Sequence, residues 1–105
     1  MYLYEFIKTY IARNTLVRLW RPIDTNKPYR EKILLTNKAV MEWEVMDIPQ
    51  LQDIPVIHIT DIVCDDTKEA VNIVIDTDYE PKQVISMIDE YRKLRRKEIS
   101  SMCEG

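Results

Sequence analysis

One glycine serves the whole 105-residue chain, and it is the last residue, Gly105. Every turn must therefore form without the residue that takes positive φ most easily. The same absence removes a class of chemistry. Loops that wrap phosphates with backbone amides need glycine where the backbone meets the ligand, so a P-loop and a dinucleotide-binding fingerprint are both excluded. Nucleotide binding through side chains stays open. Histidine occurs once, at His58, and cysteine twice, at Cys64 and Cys103, in no metal-ligand or redox spacing. Reduced thiols, no metal and no cofactor are expected. No apolar run approaches the roughly 20 residues of a membrane span. The segment Met1–Glu5 has no basic region, apolar stretch or small-residue cleavage site of an export signal, so a cytoplasmic protein is expected.

Catalytic constellations are equally scarce. His58 and Cys64 share one face of an extended segment, but six positions at about 3.3 Å each put them roughly 20 Å apart, too far for a nucleophile and its base. Asp61, Asp65, Asp66 and Glu69 crowd one turn without calcium-loop spacing, and aspartate is an ordinary turn residue. The chain reads as a non-enzyme.

Hydrophobic residues make up 46% of the chain and charged residues 31%, enough apolar content for one core and one domain over residues 1–105. From Tyr2 to Arg13 the period is helical, with Leu3, Phe6, Ile7, Tyr10 and Ile11 on one side and Asn14 as a stop that tolerates the left-handed region. Strands are then expected over residues 15–20, 31–36, 40–46, 56–64 and 70–75. Asn37 and Lys38 form a turn, and the last two strands pair as a hairpin. In 40–46 the alternation places Met41, Trp43 and Val45 inward and Glu42 and Glu44 outward. Pro81 opens a closing helix whose apolar stripe is Val84, Ile88, Tyr91 and Leu94. Helix, five short strands, helix is an α+β order. A small five-stranded antiparallel barrel of SH3-like or Sm-like kind is expected, because five short strands close more easily than they cover a flat sheet. The alternative is an open curled sheet with both helices on one face.

Three segments, Asn14–Trp20 (NTLVRLW), Met41–Met46 (MEWEVM) and Glu69–Ile75 (EAVNIVI), resemble short accessory proteins of phages and prophages of gut and soil Firmicutes. The resemblance covers the central strands and brings no catalytic residue with it. It implies a protein that binds and disables a host component, an immune or defence one above all. Residues Asn72–Asp76 loosely resemble an Sm-type strand, although a glycine expected in that family is absent.

Charge is sorted along the chain. Residues 1–38 carry eight basic and three acidic side chains, residues 39–80 one and eleven, and residues 82–105 six and four. Neighbouring strands of opposite sign would give cross-strand ion pairs worth roughly 0.2–1 kcal/mol each. The sorted surface would also suit a charged partner or a second copy of the chain. Two groups stand out as binding candidates. Arg92, Lys93, Arg95 and Arg96 crowd the end of the closing helix, where they complement its dipole and could contact phosphates. Trp20 between Arg18 and Arg21 is a candidate ligand-facing aromatic. A net charge of −3 and an acidic middle disfavour a nucleic-acid partner. The expected partner is a host protein or a small signalling ligand, with nucleic-acid binding through the closing helix as the alternative.

Overall fold

The computed structural model describes residues 1–24, 26–27, 31–60 and 70–103, and for residues 98–103 the backbone alone. The connection expected between the strands at 56–64 and 70–75, with Asp61, Asp65, Asp66, Glu69 and Cys64, and the Cys103 side chain lie outside the described residues.

Helix α1, Leu3–Tyr10, buries Leu3 and Ile7 and leaves Tyr10 exposed. Its start is fixed by backbone bonds to the segment ahead of strand β4: the Leu3 N–H donates to the Ile54 carbonyl at 2.8 Å, and the Val56 N–H to the Met1 carbonyl at 2.9 Å. Asn14 takes φ 61°, as its side chain permits, but it lies in the turn beyond the helix rather than at its last residue.

Five strands follow: β1 (Leu16–Pro22), β2 (Lys32–Leu34), β3 (Val40–Met41), β4 (Val56–Thr60) and β5 (Ala70–Ile75). They form one open mixed sheet in the order β2-β1-β5-β4, with β3 also on β1. β1 and β5 run parallel, whereas β4 and β5 form the expected antiparallel pair. The closed antiparallel barrel is therefore corrected to an open mixed sheet. The reason is visible in the core: Val17, Leu19, Ile73 and Ile75 share one cluster with Leu3 and Ile7 of α1, and with residues of every other helix. Four helices cover that face, so the sheet has no need to close on itself.

The second correction concerns residues 40–46. Only Val40 and Met41 are extended. Glu42–Asp47 form helix α2, and Pro49–Gln52 helix α3. The alternation fits a strand, but Val45, Ile48 and Leu51 are buried at helical three-residue spacing. Glutamates in the first turn of α2 also suit the positive end of its dipole. Val45 is buried as expected, but Glu42 and Glu44 are buried too and Trp43 is only half-buried. The Glu42 carboxylate accepts the Asn14 N–H at 2.6 Å. Glu42→Ala, neutral on a strand's outer face, should therefore destabilise by about 1–3 kcal/mol, because it orphans a partly buried donor. Urea unfolding of the two proteins checks it.

Helix α4, Pro81–Cys103, opens on Pro81 as expected. Val84 and Ile88 enter the core, Tyr91 is half-buried, and Leu94 is already 62% exposed. The packed part thus ends one turn earlier than its apolar stripe implies.

Candidate functional site

The structure separates the two groups of candidate residues. Arg18 and Trp20 point to the sheet face opposite Val17 and Leu19, in register with Asn72 and Val74. Both are buried, and the Trp20 indole Nε1–H donates to Asn72 Oδ1 at 3.0 Å. Trp20 is therefore not ligand-facing. Arg21 donates to the Pro22 carbonyl and forms an ion pair with Glu80 at 2.9 Å. All three are committed to the fold.

The basic end of α4 is also partly spent. Arg92 holds Glu44 through two bonds, Nε to Oε2 at 2.6 Å and Nη2 to Oε1 at 3.2 Å. The guanidinium of Arg95 lies over the Trp43 ring, 4.6 Å from its centroid, and Arg95 Nη1 donates to the Tyr91 hydroxyl at 3.2 Å. That hydroxyl donates in turn to Asp47 Oδ2 at 2.6 Å. Lys93 and Arg96 are exposed, and neither makes an ion pair among the described residues. Two ion pairs, Arg21 with Glu80 and Arg92 with Glu44, thus join oppositely charged parts of the chain that lie far apart in sequence.

Burial, followed by the bond to Asp47, raises the Tyr91 phenol above its ordinary pKa of 10.0. A folded-state value above the unfolded one means that the contribution is complete below about pH 10 and is lost as pH rises through the folded value. Tyr91→Phe should remove that alkaline loss. Urea midpoints of the two proteins at about pH 8 and about pH 11 should diverge at the lower pH and converge at the higher.

α2 also forms one wall of a groove that the sequence did not disclose. It has a volume of about 480 Å³ and runs between α1 and α2, with the turn at Arg13 and Asn14 closing one end. Tyr4 and Lys8 of α1 face Trp43, Met46 and Asp47 of α2 across it. Its charges are unevenly committed. The Glu42 carboxylate is bonded by the Asn14 amide, and Asp47 by Tyr91. Lys8 lies 5.9 Å from the Tyr4 ring centroid, and neither it nor Arg13 makes an ion pair among the described residues. Trp43 lines both this groove and a smaller hollow of about 160 Å³ that holds Arg92, Arg95 and Arg96. The strand reading of 40–46 hid the groove, since a strand there leaves no second helix to form its wall.

His58 is half-buried, and its Nδ1 lies 3.1 Å from the Ile59 carbonyl, to which it donates when protonated there. Among the described residues no three histidine, cysteine or acidic side chains are grouped as a metal site. None of the described helices is long and apolar enough to cross a membrane. Comparison of the chain with protein-family models, with curated proteins and with solved structures finds no match.

Proposed function

We propose that this chain is a non-enzymatic accessory protein of phage type that inhibits a host component, a defence one, by capturing a small anionic signal in the groove between α1 and α2. One observation carries the reading: an aromatic groove holds two cations, Lys8 and Arg13, that make no ion pair among the described residues, and Lys8 lies over the Tyr4 ring. A ligand entering it meets the positive charge of Lys8 and Arg13 and the rings of Tyr4 and Trp43, with the Glu42 and Asp47 carboxylates held by hydrogen bonds on the α2 side. That combination suits a planar anion of nucleotide kind. The volume falls within the roughly 300–1,000 Å³ of small-molecule sites. The phage resemblance supplies the biological setting, the host cytoplasm, and the inhibitory outcome. Capture of a host protein on the same groove is the other form of the reading.

Nucleic-acid binding through α4 is weakened by the commitment of Arg92 to Glu44 and of Arg95 to Trp43, which leaves two uncommitted cations among the four proposed. A track of so few phosphate contacts gives a shallow salt dependence.

Trp43 is the natural reporter, since Trp20 is buried on the other sheet face. Adenosine monophosphate should change the fluorescence of the wild-type protein saturably and that of Trp43→Phe much less. Adenosine should bind at least about tenfold more weakly, a difference of about 1.4 kcal/mol. Lys8→Glu with Arg13→Glu should abolish the response. Equal binding of nucleotide and nucleoside, or no binding of either beside tight, salt-sensitive binding of generic DNA, overturns the proposal.

A further inference from the structure

The sheet edge beside β1 is interrupted. β2 pairs with Trp20–Pro22, the Leu35 N–H continues that ladder by donating to the Leu19 carbonyl at 2.8 Å, and β3 pairs with Leu16 and Val17, so residues 36–39 loop out opposite Arg18. Within the excursion Asn37 sits at φ 63°, and the Lys38 N–H donates to the Thr36 carbonyl two residues back at 2.6 Å. A three-residue turn with positive φ at its centre is a strained form that persists only where its surroundings hold it. Extra residues in an edge strand also recur beside functional sites.

The Thr36 side chain is the second anomaly. The residue is 5% exposed, and its hydroxyl oxygen is buried without a hydrogen-bond partner among the described residues. A buried hydroxyl left unpaired is costly, and such groups are few in folded proteins. The excursion faces α4 across a hollow of about 340 Å³, which Thr36 and Lys38 line from one side and Ile85, Ile88, Asp89 and Arg92 from the other. Lys38 makes no ion pair among the described residues. Arg92 spends Nε and Nη2 on Glu44, which leaves Nη1.

We propose that this hollow binds an apolar α-amino acid, its carboxylate held by Thr36, Lys38 and Arg92, its ammonium by Asp89, and its side chain against Ile85 and Ile88. Lys38 and Arg92 bring cationic donors to a hollow that also holds the Asp89 carboxylate, so it takes a group with the reverse pattern, a carboxylate next to a cation. A phosphate dianion is a poorer match, because Asp89 and the Glu44 carboxylate on Arg92 would repel its second charge. The hollow shares no lining residue with the α1–α2 groove and stands independently of the function proposed for it.

Amide resonances of the full chain, followed by two-dimensional NMR, test the site with three probes: L-leucine, 4-methylpentanoate, which lacks the ammonium, and L-leucinamide, which lacks the carboxylate. L-Leucine should shift residues 36–39 and 88–92 saturably with a dissociation constant in the millimolar range or below, and both analogues should bind at least about tenfold more weakly. Lys38 and Asp89 are exposed, so their substitution leaves the fold intact. Lys38→Met should weaken L-leucine at least about tenfold, and Asp89→Asn should reduce it to the level of 4-methylpentanoate. No saturable shift below about 20 mM, equal binding of the three probes, or L-leucine binding unchanged in both variants overturns the assignment.

Discussion

Trp20→Ala should destabilise the protein by about 3–5 kcal/mol, the range for removing a large aromatic from a core. The residue is 9% exposed, lies between Leu34 of β2 and Val74 of β5, and closes a buried hydrogen bond to Asn72. For a domain of this size each kcal/mol lowers the melting temperature by roughly 4–8 °C, so the variant should melt well below the wild type. Trp20→Phe separates the contributions, because it keeps most of the packing and loses the indole N–H, worth about 1 kcal/mol. Trp43→Ala should cost less than Trp20→Ala, since Trp43 is half-buried and packs mainly against Tyr91 and Arg95. A larger melting shift for Trp43 than for Trp20 would contradict the placement of both side chains and restore Trp20 as a ligand-facing aromatic.

The two tryptophans also mark how far the sequence could be read. Elements whose pattern has one structural meaning are found where expected: α1 by its helical period, β5 from Ala70 to Ile75, and α4 from Pro81. The β1 segment is legible for the same reason, with Val17 and Leu19 on one face and Arg18 and Trp20 on the other. What the sequence could not settle was the far face of the sheet. Alternation shows that Trp20 and Arg18 point the same way, not whether that face is wet or buried. Segment 40–46 fails for a different reason. Its residues alternate as a strand, yet Val45 also begins the three-residue series with Ile48 and Leu51, and a short run cannot decide between the two periods. Contacts remote in sequence decide it. Asn14 satisfies Glu42 and Arg92 satisfies Glu44, at separations of 28 and 48 residues. The cue that was available lay in the glutamates themselves: Glu42 and Glu44 follow directly on the last extended residues, and acidic side chains suit the first turn of a helix. Once 42–47 is helical, the α1–α2 groove follows. The hollow at residues 36–38 was half legible, because Asn37–Lys38 reads as a turn, but the partner helix that makes it a cavity does not.

Arg92→Ala should destabilise by about 1–3 kcal/mol, less than the 3–5 kcal/mol of a fully buried ion pair, because water reaches one of the partners. The Glu44 side chain is 8% exposed and the Arg92 side chain 46%. Removing the arginine leaves a nearly buried carboxylate without its two charge-assisted bonds, whereas removing the glutamate leaves a guanidinium that solvent can still hydrate. Glu44→Ala should therefore cost less than Arg92→Ala, and the double variant less than the sum of the two, with a coupling of about 1 kcal/mol or more. The bond to Glu44 is the first cause that raises the Arg92 guanidinium above its ordinary pKa. A raised folded value contributes fully below the unfolded one, so Arg92 titration adds no pH dependence anywhere near neutrality. Salt is the more informative variable: a pair with one buried partner should keep most of its coupling at about 1 M sodium chloride, where exposed pairs are screened within about 3 Å. Urea unfolding of the four proteins at low and high salt measures this directly. A coupling that vanishes at high salt would mean that Arg92 is only loosely held by Glu44. The basic end of α4 would then regain a cation for an external phosphate, and the nucleic-acid reading would recover the residue whose commitment now counts against it.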